Sequence, residues 1–493
     1  MAQHVIRYRP STPASASPPR ERSADHPVDD GDALVARFDA IRAELDVPRE
    51  FPAEVLAEAA AAAAKVVLPE RDETSVPFLT IDPPGSMDLD QALHIERDGD
   101  GYRVRYAIAD VPAFVAPGGS VDREARKRVA TIYAPDQRSP LHPPTLSEDA
   151  ASLLAGQVRP AFVWDLRLAA DGEGTAATLH RAQVRSVDRL DYEGVQRDID
   201  GGTSDERLLL LKEVGLKRIE LERRRRGASL PMPEQEVTRD AEGRFLLGFR
   251  PPLAAEDWNA QISLMTGMAA AGMMIRARVG ILRTMPAPDE CSVSRFRRQA
   301  RALGIEWPQN EPYGEFLRRL DRENAKHLAL IHEATGLFRG AGYTPFDGEA
   351  PAQSQHAAVA APYAHVTAPL RRLVDRFGLV VCEAVSTGRE VPVWVREALP
   401  TLPDLMQAGD KKANAVERAC TDAVEAAVMQ SHLGETFPAS VVDLNDKAGS
   451  VTVQLMDPAI VAKAAGVAEL GAEIRVRVTA ADVATGRVEL EVV

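Results

Sequence analysis

Three aspartates, Asp82, Asp88 and Asp90, fall within nine residues at the end of an apolar run, in the stretch FLTIDPPGSMDLDQALH (78 to 94). Phe78, Leu79 and Ile81 can lock a strand into a core, and Pro83, Pro84 and Gly85 force a turn that brings Asp88 and Asp90 back toward Asp82. Two residues apart in an extended segment, Asp88 and Asp90 point the same way. Clustered carboxylates with a substrate phosphate are what magnesium prefers, and two metals about 4 Å apart can clamp both oxygens of a phosphoryl displacement. The bland alternative is a solvated turn. Asp-x-Asp also stands at Asp30/Asp32, Asp98/Asp100 and Asp198/Asp200 in polar runs, so this spacing alone does not separate a metal site from a surface loop.

The elements that must position these carboxylates change character along the chain. Residues 1 to 26 are rich in Pro, Ser, Ala and Arg and cannot offset the entropy of ordering, which predicts a disordered tail. Over 27–74 the apolar spacing of Leu34, Val35, Phe38, Ile41 and Leu45, and then an alanine-rich run from Ala53 to Val66, predict a small helical domain. Such a helix pair could be a helix-turn-helix or a plain packing unit. Residues 75 to 190 read as strands with hairpin signals. From Asp205 the period becomes 3.6, with a helix ending at Arg223 to Arg226 and Gly227 as its cap, then helices near 254–282, 293–303, 313–338, 369–386 and 403–431. A strand-rich half followed by a helix-rich half gives an α+β domain over 75–431, a mixed sheet with packed helices. Over 432–493, FPASVVDL, GSVTVQLM, EIRVRVTAAD and RVELEVV alternate like the strands of a small antiparallel barrel.

Composition bounds the setting. The 493 residues exceed the ~250–300 of a single core, and 45% hydrophobic with 27% charged residues is an ordinary globular balance. No apolar run approaches the ~18 residues of a membrane span, and no compact apolar leader opens the chain. Cys291, Cys382 and Cys420 lie far apart, against zinc and against a disulfide framework, so a reducing cytoplasm and no membrane association are expected. The net charge of −14 leaves nucleic-acid binding to local basic channels.

Beyond the aspartates, the segments YAIADVPAFVAPGGSVDREARKR (106 to 128), TIYAPDQRSPLHPPTLSEDAASLL (131 to 154), VRPAF, YAHVTAPLRRLVDRF (363 to 377) and ANAVERA (413 to 419) stand at spacings that resemble the RNase II family of hydrolytic exoribonucleases. The likeness covers most of the chain from about 75 to 431, and the final sixty residues resemble the S1 type of OB fold that closes such enzymes. The N-terminal helices depart from the cold-shock barrels that often open them.

What the resemblance implies is a magnesium-dependent 3′-to-5′ exoribonuclease acting on single-stranded RNA and releasing 5′-mononucleotides by a two-metal mechanism, with manganese as a possible substitute and the chain a monomer. It assigns metal binding to Asp82, Asp88 and Asp90, with Gln91 standing where the family has a fourth aspartate and offering only a neutral carbonyl oxygen. It places Arg371 on the scissile phosphate, with Arg372 as a secondary contact, and Tyr133, Tyr192 and Glu417 along the RNA. From the residues alone, an arginine pair after Pro369 at a helix start is more often a surface feature, most tyrosines are half-buried core residues, and Glu417 reads as an exposed helix carboxylate paired with Arg418 or Lys412. His365 reads as a packing or hydrogen-bonding residue. Because Gln91 and Ala368 depart from the family pattern, a catalytically weakened RNA-binding relative is the alternative. An Asp-x-Asp glycosyltransferase is disfavoured because no doubly wound βαβ pattern precedes Asp88.

Overall fold

The computed structural model describes residues 6–8, 31–240, 244–250, 252–445 and 449–493. Five strands, Phe78–Asp82, Gln91–Asp98, Gly101–Ala109, Val158–Leu168 and Gly174–Asp191, pair in that order and close into a barrel. All neighbours are antiparallel except at the seam, where Phe78–Asp82 runs parallel to the last strand and sets Asp82 opposite Asp191. The sheet expected from sequence is therefore closed on itself, and the seam joins segments remote in the chain. Both faces of these strands are apolar. Leu93, Tyr106, Ile108, Phe162 and Trp164 belong to one buried cluster, while Ala92, Ala107, Ala161, Val163 and Ala182 alternate with them into another.

Helices cover the barrel. Ala254–Ala277 lies between Glu206–Arg224 and Leu373–Ser386, and Gly215 lets two of them touch, since a Cβ there would meet Trp258 Cβ at 2.5 Å. Several expected boundaries shift. The helix begun at Ala254 stops at Ala277, and Val279–Thr284 instead forms an antiparallel pair with Gly342–Asp347. The expected 313–338 helix divides into Tyr313–Arg318 and Ala325–Ala334. Glu206–Arg224 ends through Arg226, at φ 67°, and not through Gly227, which is needed for close approach to Glu222 and Ala358.

The C-terminal strands Thr436–Asn445, Ser450–Leu455, Ile460–Ala465, Glu473–Asp482 and Arg487–Val492 close a second barrel. Sequence reasoning missed Ile460–Ala465 because its alanines carry little strand preference. The long helix Leu402–Gln430 leads into this barrel and packs on its last two strands. At that junction Glu425 is buried, accepts from Gln235 Nε2 at 2.7 Å and from the Val461 amide at 3.3 Å, and is pushed up by burial to about 8.

The expected N-terminal helices form as Gly31–Glu44 and Ala53–Ala64. Most of the tail expected to be disordered lies outside the described residues, but Ile6–Tyr8 pairs in parallel with Glu234–Arg239. Leu34, Phe38 and Ile41 are fully buried, and Phe38 meets Phe245 edge-on at 5.6 Å. From the same helix Arg42 donates to both carboxylate oxygens of Asp136, at 2.8 and 2.6 Å, with side-chain exposures of 2% and 8%. Asp136 lies in the turn between Tyr133 and Arg138, so this domain braces that hairpin. Breaking one side of a buried ion pair strands a charge. Arg42→Met is expected to cost about 3–5 kcal/mol in urea unfolding, with Arg42→Met/Asp136→Leu recovering most of it. A single-variant cost below about 1 kcal/mol would place the pair among weak surface bridges instead.

Candidate active site

Asp82 ends its strand, and the turn beyond it is the expected one, with the Ser86 amide donating to Pro83 O at 3.2 Å and Gly85 at φ 82°. Leu89 then anchors the returning segment. It is fully buried, its amide donates to Ser152 Oγ at 2.9 Å, and its carbonyl accepts from Leu153 at 3.0 Å. With Leu89 pointing into the core, Asp88 and Asp90 both turn the other way.

The segment from Tyr363 to Arg372 closes over them. It can approach because residue 267 is glycine, where a Cβ would meet the Tyr363 ring at 2.2 Å. Asp90 Oδ1 accepts the Leu370 amide at 2.7 Å, Asp375 Oδ1 accepts the Ala368 amide at 2.8 Å, and Arg371 O accepts the Thr131 amide at 3.0 Å. Arg371 is thereby held with its guanidinium Nε 3.5 Å from Asp90 Oδ2, while 47% of its side chain stays accessible. It faces the carboxylates yet remains open to a ligand.

Burial pushes Asp82 up to about 7, with Arg371 opposing, and burial likewise holds Asp90 well above the ordinary carboxylate range against Arg371 and the Leu370 amide. Asp88 meets a partner that sequence reasoning did not single out. Arg138, across the hairpin rung from Tyr133, donates to Asp88 Oδ1 at 2.5 Å and pairs with Glu148 at 2.9 Å. Tyr133 donates to Asp88 Oδ2 at 3.3 Å and leaves its ring 39% exposed beside the site. No sequence signal marks Arg138, since only the two-residue pairing with Tyr133 turns it inward.

Other expected residues fall differently. Both ends of the Gln91 amide are engaged, Oε1 by the Tyr106 hydroxyl at 2.5 Å and Nε2 by Thr367 O at 2.6 Å. Arg372, expected near RNA, makes a bidentate pair with Asp375 at 2.8 and 2.7 Å and caps Leu373–Ser386. Tyr192 begins a helix, and its hydroxyl accepts from Asn259 at 3.0 Å. Glu417 lines a cavity of about 1200 Å³ with Arg283, Tyr343 and Asp410, whose lining includes none of the three aspartates. His365 is a hydrogen-bonding residue, 2.7 Å from the Tyr343 hydroxyl and kept neutral by burial.

Among the described residues no three His, Cys, Asp or Glu side chains form a ready metal cage, and no helix is long and apolar enough to cross a membrane. The donor set nonetheless fits a hard divalent cation. The Asp82 carboxylate has neither hydrogen bond nor ion pair among the described residues, although burial disfavours its charge and Asp88 adds repulsion. Asp82, together with Asp88 and Asp90, would hold the ion.

Residues 70–382 match the RNB domain and residues 435–493 match the RNase II-type exonuclease C-terminal S1 domain. The chain belongs to the RNB family. Exoribonuclease 2 of Aeromonas hydrophila is 31% identical over 43% of this chain and 33% of that protein, and the chain spans about a third of the curated relatives it matches. The apo form of Mycoplasma genitalium RNase R superposes with a TM-score of 0.84 at 17% identity, over 94% of this chain and 78% of that one. Yeast Ssd1, described as a pseudonuclease, superposes with a TM-score of 0.66 at 15% identity, over 88% and 56%. These two structures share the fold.

The raised Asp82 carboxyl has a stability consequence. The folded state holds its proton up to about pH 7, whereas the unfolded chain releases it near 3.8, so this contribution is full at low pH and lost as pH rises through 7. In EDTA, melting temperature is expected to fall from about pH 4 to 7, and the difference between wild type and Asp82→Asn to slope across that window and level off above about 7. Glu425 leaves a slope of the same sign in both proteins. A flat difference curve would show Asp82 solvated.

Proposed function

We propose that this RNB-family chain is a divalent-metal-dependent exoribonuclease that shortens single-stranded RNA from its 3′ end and releases 5′-mononucleotides. The observation that carries it is Arg371, sewn between Asp90 and Thr131 so that an accessible guanidinium faces buried carboxylates next to the exposed Tyr133 ring. The matched exoribonucleases support the reaction class.

In this reading Arg371 donates paired hydrogen bonds to the oxygens of the scissile phosphate, as a planar guanidinium does best. Asp90 holds Arg371 in register through the Leu370 amide, and Tyr133 offers its ring to the terminal base while its hydroxyl orients Asp88. Magnesium, one ion or a pair held by Asp82, Asp88 and Asp90, with manganese as substitute, supplies activation of water and charge neutralisation at the phosphate. The exposed Tyr133 and the accessible Arg371 guanidinium would meet a single strand, the expected partner.

The second reading, a catalytically weakened RNA-binding relative, is favoured by the uncharged Gln91 and by the likeness to a pseudonuclease fold. Hydrolysis of a 5′-labelled oligonucleotide with and without EDTA separates the two, because the weakened relative would bind and leave the label at full length.

Asp90→Asn keeps an oxygen for the Leu370 amide but removes the charge. It is expected to lower turnover at least about 100-fold while RNA affinity moves less than about twofold, and turnover near wild type would remove Asp90 from the chemistry. Tyr133→Ala should weaken binding of the shortest oligonucleotides by about 1–3 kcal/mol and lengthen the limit product. Unchanged product length would make Tyr133 a wall residue only.

A further inference from the structure

Gln91 is the clearest departure from the family's aspartate run, and its surroundings suggest a different job. Its orientation is fixed by chemistry. A backbone carbonyl can only accept, so the amide group facing Thr367 O at 2.6 Å must be the NH₂, which leaves Oε1 toward the Tyr106 hydroxyl at 2.5 Å. Flipping the amide would set two acceptors against each other at Thr367. Tyr106 is fully buried and shares its hydroxyl with Ser263 Oγ at 2.8 Å, so the three side chains form one chain of hydrogen bonds. A carboxylate at position 91 has no proton to give Thr367 at neutral pH, and an aspartate is also shorter by one methylene.

Thr367 lies four residues before Arg371 in the segment that closes over the aspartates. Asp90 grips the same segment at the Leu370 amide, Asp375 grips it at Ala368, and Thr131 grips it at Arg371 O. The consecutive residues Asp90 and Gln91, leading into one barrel strand, therefore hold both ends of the four-residue stretch from Thr367 to Leu370, immediately before Arg371. We propose that Gln91 is a positioning residue that tethers Thr367 and so places Arg371 on the scissile phosphate, and that it is not a metal ligand. This rests on the nuclease reading given above. The fourth carboxylate is exchanged for an anchor.

The discriminating variant is Gln91→Glu, which keeps the length and oxygen but loses the donor. As a tether, position 91 should show kcat at saturating RNA and metal falling about tenfold or more, with KM and the Mn²⁺ dissociation constant, read by electron paramagnetic resonance on RNA-free protein, each moving less than about threefold. Gln91→Leu should behave alike, with thermal melts confirming that both variants fold. The proposal is overturned if Gln91→Glu tightens Mn²⁺ about tenfold and keeps kcat, or if Gln91→Leu weakens Mn²⁺ about tenfold and recovers wild-type kcat in excess metal. Should wild type cleave no RNA in either metal, the nuclease reading fails by itself. Hydrogen exchange at the amides from Thr367 to Arg372 then decides the tether, faster in Gln91→Glu if it exists and unchanged if it does not.

Discussion

The interaction on which the site depends is the grip of the buried Asp90 carboxylate on the Leu370 amide, with Arg371 beside it. A carboxylate at 4% exposure costs several kcal/mol unless hydrogen-bonded or paired, and these partners come from a segment far along the chain. Satisfying that one charge therefore fixes where the Arg371 segment must lie. Gly267, by admitting Tyr363 against its helix, makes the position sterically possible.

The same logic runs outward. Asp88 is offset by Arg138, Arg138 by Glu148, and the hairpin that carries Arg138 is tied through Asp136 to Arg42 in the N-terminal helices. The first helix has its apolar face filled by Phe245 and by the long helix Leu402–Gln430, and the second packs Val55 and Ala59 with Val121 of the helix Ser120–Arg128, so the pair works as a brace of the first barrel. Arg128 adds to the connection by donating to Pro48 O and Glu50 O while stacking 3.7 Å over Phe51.

At the far end, Leu402–Gln430 links the second barrel to the first and lines the cavity that contains Glu417. Its lining mixes the cations Arg283, Arg339, Lys411 and Arg418 with the anions Asp404, Asp410, Glu417, Asp422 and Glu425. The buried Glu425–Gln235 contact closes its floor against the C-terminal barrel.

Much of this was legible in the residues. The apolar Phe78, Leu79 and Ile81, the Pro-Pro-Gly turn and the Asp-x-Asp spacing determined a strand that delivers clustered carboxylates, because period-two alternation and turn chemistry are local. Strand and helix existence followed from periodicity, while ends failed where tertiary contacts decided them, as at Arg226 and at the split near Asp321. What only the tertiary structure decided was partnership. That Arg138 meets Asp88 and that Gln91 reaches Thr367 are contacts to the aspartate turn from a hairpin and from a segment remote in the chain. Side-chain type sets what a group can donate or accept, but which group it finds depends on closure of the chain over itself, and no local pattern encodes that.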